Sequence, residues 1–157
     1  MSALPRSAFQ ALAGPAPAPL RLTAFLIGAV ATLFATLHLY AGIYGAPPAM
    51  LFRMVHLTLA LALVFLAFPL KRGWAEPFNL WTLIDAAGFG LSVWLTWYYV
   101  ATLDGWALRQ VMMSDLDLFA AWATLILVCE AVRRTLGPII LIVAGVFVLH
   151  ALFADHF

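Results

Sequence analysis

His38 and His56 stand eighteen residues apart, one in each of two successive apolar stretches. If those stretches are antiparallel helices, the imidazoles lie at similar depth, the arrangement of a bis-histidine haem in a membrane anchor. Arg53, one turn before His56, offers a simpler use for that histidine in an interfacial Arg/His cluster. Glu130, Arg133 and Arg134 are three and four residues apart with the acid first, the favourable order for a helical ion pair. The cations suit a helix C-terminus and anionic headgroups, so this group reads as an anchor or as a subunit contact. Asp85 falls inside an apolar run, where an acid is costly unless paired. Lys71 and Arg72 are its expected partners.

Other chemistries lack their residues. No Ser/His/Asp set, glycine-rich phosphate loop or HExxH motif occurs in the chain. His150 and His156 form no zinc-type spacing with an acid or cysteine. Cys129 is the single cysteine, and core packing is its expected role. The expectation is therefore a non-enzyme with no metal and no cofactor; the haem pair His38 and His56 is the alternative.

The elements that would hold these residues follow from hydropathy. The 157 residues have a mean hydropathy of +1.03 and only 10% charged side chains. A net charge of +1 leaves no basic patch for nucleic acid. The stretches Leu22 to Gly45, Met54 to Leu70, Asp85 to Leu103, Leu118 to Val132 and Pro138 to Leu152 each approach the ~20 residues that cross a bilayer. The fold class expected is an all-α, polytopic integral membrane protein of about five spans. Four are possible, because ~15 residues at 1.5 Å each carry the last stretch only ~23 Å. Residues 1–21, with the Ala/Pro tract Ala11 to Pro19, read as a flexible tail that is retained, and 22–157 as one transmembrane domain.

Placing the tail in the cytoplasm collects Arg6, Arg21, Lys71, Arg72, Arg133 and Arg134 on that side and leaves Arg53 and Arg109 outside. The positive-inside rule then gives an N-in, C-out arrangement. Tyr40, Tyr44, Trp97, Tyr98, Tyr99 and Trp106 are expected at the outer interface, Trp74 and Trp81 at the inner one. Ser114 and Asp117 have the spacing of a capping box, with Asp in place of Glu. Ala24, Gly28, Thr32 and Thr36 form a small-residue stripe on the first span, and Ala86 and Gly90 a shorter one on the third, surfaces suited to close helix approach.

Arg53-Met54-Val55-His56, the apolar run to Phe68-Pro69, Asp85, Arg109 with Leu116-Asp117 following, and Glu130 through Arg133-Arg134-Thr135-Leu136-Gly137 resemble, in that order, one known arrangement. It is similar to the small-subunit region of TRAP transporters, the tripartite ATP-independent periplasmic carriers, of the TAXI type. The similarity covers about Thr32 to Phe153. The chain departs from it at Val111 and Met113, where the family tends to have glycine and proline, and at His150, where a tyrosine is common. It also stops where fused permeases continue into the large transport domain.

The resemblance implies a separately encoded small subunit or detached half in a bacterial inner membrane, partnering a large permease subunit and a periplasmic solute-binding protein. The cargo would be organic anions such as dicarboxylates, and the substrate and coupling-ion sites would lie in the large subunit. Arg53, His56, Asp85, Arg109, Asp117, Glu130, Arg133 and Arg134 are then the candidate residues for subunit contact or for anchoring to lipid headgroups. A haem- or quinone-binding membrane anchor of a redox complex is the alternative function.

Overall fold

The computed structural model describes residues 18–70, 79–105 and 111–154, with side chains from Leu22 onward. Among them the chain is all-α, with helices α1 (Ala18–Tyr44), α2 (Ala49–Ala67), α3 (Leu80–Ala101), α4 (Asp115–Thr135) and α5 (Pro138–Phe153), and a 3-10 turn at Leu103–Gly105. The five hydrophobic stretches thus correspond to the five helices. Two of them, Leu22–Tyr44 and Ala49–Ala67, are long and apolar enough to cross a membrane. Polar side chains dilute α3 and α4, and α5 has 16 residues.

Helix ends follow local chemistry. α1 begins at Ala18, four residues inside the segment expected to be a tail, with Pro19 in the first turn, where no helical hydrogen bond is lost. α2 closes with Phe68 N–H donating to Val64 O, and Pro69 follows it. Asn79 caps α3 by accepting from Thr82 N at 2.9 Å. The expected capping box opens α4: Ser114 Oγ accepts from Asp117 N, and the Asp117 carboxylate accepts from Ser114 N at 3.0 Å. Between α4 and α5, Gly137 adopts φ 86 and ψ 176, a conformation open essentially to glycine, and Pro138 starts the next helix.

α2, α3 and α4 form the core, α1 packs on α2, and α5 packs on α4. Leu61 and Phe65 of α2 meet Leu95, Tyr98 and Tyr99 of α3 and Ala120, Ala123, Leu127 and Ala131 of α4. The alanines let α4 approach closely. On α3 the close-packing stripe is Gly88, Ser92 and Thr96, not Ala86 and Gly90, which are exposed. A Cβ on Gly88 would fall under 3.0 Å from three ring carbons of Phe65, whereas one on Gly90 would meet nothing. Thr96 donates to Thr58 across the α2–α3 seam at 2.7 Å, and Thr58 donates onward to Met54 O.

The aromatic assignments divide. Tyr40, Tyr44, Trp81 and Trp97 are exposed, as interfacial residues would be, but Tyr98 and Tyr99 belong to the core. Their hydroxyls explain how they bury: Tyr98 donates to Asp117 Oδ1 at 2.6 Å, and Tyr99 pairs with Thr124 at 2.9 Å. Cys129 is half-buried on α4. The α1 stripe Ala24, Gly28, Thr32 and Thr36 is exposed, with open space around Gly28. Trp74 and Trp106 lie outside the described residues.

Candidate functional site

Two side-chain clusters stand out, one at the end of the bundle where α2 exits and one towards the other end, with its His56 two residues from the midpoint of α2. At the first, Arg134 projects from the last turn of α4 onto the exit of α2 and the start of α3. Its Nη1 donates to Asp85 Oδ1 at 2.5 Å and to Phe68 O at 3.1 Å, and its Nε donates to Glu130 Oε1 at 2.8 Å. The other carboxylate oxygen of Asp85 accepts from Leu70 N at 3.1 Å. The guanidinium carbon lies 4.6 Å from the centroid of the Phe65 ring. A single arginine therefore joins three helices and fixes the chain as it leaves α2.

Burial separates the two arginines. The Arg134 side chain is 3% exposed and Asp85 14%, whereas Arg133 is 45% exposed. Arg133 nevertheless makes a two-pronged pair with Glu130, through Nε and Nη2 at 2.7 Å each. Two acids and two bases leave the cluster neutral, and the like-charged neighbours are held apart by opposite charges. Arg134 Nη2 is buried without a hydrogen-bond partner; the π-face of Phe65 beside the guanidinium offsets part of that cost.

The geometry adds a partner that the sequence did not suggest: Asp85 pairs with Arg134, 49 residues along the chain, while Lys71 and Arg72, its expected partners, lie outside the described residues. The helical pairing of Glu130 with both arginines is as expected. Phe65, Phe68 O and Leu70 N are participants that sequence reasoning missed. Two of them act through the backbone, which carries no residue-type signal, and a buried phenylalanine is indistinguishable by type from ordinary core.

Towards the other end, His38 and His56 do face each other, with Nε2 of the first 2.8 Å from Nδ1 of the second. The His38 Nδ1 also lies 2.7 Å from Phe34 O. A carbonyl only accepts, so that nitrogen carries a proton. Phe34 and Phe52 flank the pair, with centroid separations of 4.6 to 5.2 Å from the imidazoles they contact most closely. Arg53 is exposed, and His56 bonds to His38 across the helices.

A haem does not fit between these rings. Its axial ligands occupy opposite faces of the macrocycle at about 2 Å from the metal, the usual metal–imidazole distance, and so stand ~4 Å apart. The two nitrogens here are in direct hydrogen-bond contact. Among the described residues no three His, Cys, Asp or Glu side chains converge as metal ligands.

Asp117 serves the α4 cap and the Tyr98 hydroxyl, tying α3 to α4 at the histidine end. Arg109, the remaining candidate, lies outside the described residues. Comparison of the chain with protein-family models, with curated proteins and with solved structures gives no match.

Proposed function

We propose that this chain is the small, scaffolding membrane subunit of a secondary, ion-coupled TRAP-type transporter for organic anions such as dicarboxylates. Its partners are a large permease subunit and a periplasmic solute-binding protein, and its place is the bacterial inner membrane, crossed five times with the N-terminus inside. The observation that carries this reading is that the middle of every described helix is free of Asp, Glu, Lys and Arg. Arg53, Asp85, Asp115, Asp117, Glu130, Arg133 and Arg134 all lie within about two turns of a helix end. Carriers bind cargo and ions near the midplane, commonly on interrupted helices, whereas a scaffold needs charge only at its faces.

The flanking helices support the same role. Phe25, Leu33, Leu39 and Ile43 on α1 and Ile139, Ile142, Val146, Phe147 and Leu152 on α5 are exposed. Apolar surface of that extent suits lipid and a neighbouring subunit. The order of motifs from Arg53 to Gly137 supplies the family, and the neutral Asp85–Arg134–Glu130–Arg133 cluster supplies a rigid inner rim.

Topology reporters fused at Gly73 and at Phe157 test the membrane arrangement. The expected outcome is an inside signal at Gly73 and an outside signal at Phe157, since six cations lie on the proposed inner side and two on the outer. An outside signal at Gly73 overturns the orientation, and an inside signal at Phe157 overturns the five-span count.

A further inference from the structure

We propose that the His38–His56 hydrogen bond is a proton-operated clasp between α1 and α2, closed while the two rings share two or three N-bound protons and open when they hold four. The inference concerns the chain itself and goes beyond its role as a scaffold. It begins with the proton on His38 Nδ1, fixed by the 2.7 Å contact with Phe34 O. With both rings neutral, His38 Nε2 has only a lone pair, so His56 Nδ1 donates across the 2.8 Å gap. One added proton leaves a donor on one side and an acceptor on the other, and the bond becomes charge-assisted. A second added proton removes the last acceptor. Two N–H groups and two positive rings then face each other, and the contact must open.

Once both rings are charged, the surroundings favour opening. Arg53 on α2 adds a cation at the same end. The titratable groups at this end of the elements packed against α2 are Tyr40 and Tyr44 on α1, Tyr98 and Tyr99 on α3, and Asp115 and Asp117 on α4, with Asp104 in the 3-10 turn that follows α3. Tyr98 and Asp117 bond to each other, and among the described residues no carboxylate bonds to either imidazole. Among those residues, then, no direct contact supplies an offsetting anion. α1 packs on the bundle chiefly through α2, so loss of the clasp frees the far end of α1 to swing about the short 45–48 connection.

The full-length chain, labelled with 15N-histidine in lipid nanodiscs, tests the inference by a through-hydrogen-bond coupling between the two ring nitrogens. Acid is added from about pH 8 until the 15N shifts of both rings report a proton on all four nitrogens, because the second added proton must enter beside an existing imidazolium; that endpoint is the lower pH. The coupling is expected at the higher pH and lost at the lower. Spin labels on Phe25→Cys and Ala67→Cys in a Cys129→Ala background should report a broader, longer separation in acid. His38→Gln keeps a hydrogen-bonding group near the Nε2 position and cannot become charged, so its label separation should stay the same at both pH values. Coupling that persists at the lower pH in the unmutated chain overturns the clasp. So does a label separation indifferent to pH, or one that shifts in His38→Gln as it does with histidine present.

Discussion

Replacing Arg134 with methionine is expected to destabilise the bundle by about 2–4 kcal/mol, because it leaves the half-buried Asp85 without this cation and Glu130 with Arg133 alone. Asp85→Ala should cost less, because Arg134 keeps Glu130 and Phe68 O as partners, although the change removes the acceptor for Leu70 N. The double replacement Asp85→Leu with Arg134→Met should cost clearly less than the sum of the two single changes. Removing both charges together strands neither, and apolar side chains tolerate the site. Arg133→Ala, by contrast, removes an exposed pair and should cost under about 1 kcal/mol. Denaturation midpoints of the four variants in detergent micelles check this. Additive effects of Asp85 and Arg134, or equal costs at Arg133 and Arg134, would show that the buried bridge does not hold the three helices together.

Gly88→Ala is the second large effect, and its sign is opposite to the usual one. Alanine is the better helix former by about 1 kcal/mol, so an open glycine gains from the change. Gly28 and Gly90 are open, and their alanine variants should be neutral or slightly stabilising. At Gly88 the new methyl group enters the Phe65 ring, which is buried and has the Arg134 guanidinium against it. The ring cannot retreat without disturbing the ion network. A loss of about 1–3 kcal/mol is expected, the range for an overpacked core. Phe65→Leu in the Gly88→Ala background should recover part of it. Thermal denaturation of the three glycine variants separates the cases, and a Gly88→Ala protein as stable as Gly90→Ala would rule out this close approach.

Hydropathy located the five helices because each stretch is bounded by turn residues that act locally: Gly137-Pro138 ends one helix and begins the next, and Ser114 and Asp117 form their box within a single turn. Local spacing also sufficed for Glu130 with its two arginines. What sequence reading could not supply was rotation about the helix axes. The stripe on α3 proved to be Gly88, Ser92 and Thr96, two residues out of register from Ala86 and Gly90, because both sets have the same spacing and only the partner helix selects one. The same limit hid the pairing of Asp85 with Arg134, which depends on α4 lying against the α2–α3 exit. It also made Tyr98 and Tyr99 read as belt residues, although their rings are buried in the core. Aromatic residues near a helix end read as a belt until Asp117 and Thr124 are seen to satisfy their hydroxyls.

Transport by the assembled complex tests the scaffold role most directly. The chain would be reconstituted in proteoliposomes with the large membrane subunit from a neighbouring reading frame and the cognate solute-binding protein. Complex yield and uptake kinetics would be measured on the same samples for the unmutated chain, for Asp85→Ala and for Arg133→Ala combined with Arg134→Met. If the chain is a scaffold, maximal uptake falls in proportion to the complex lost, and the half-saturation concentration stays unchanged. A large rise in half-saturation with normal complex yield would contradict it, because that result places these residues in the path or binding site of the cargo.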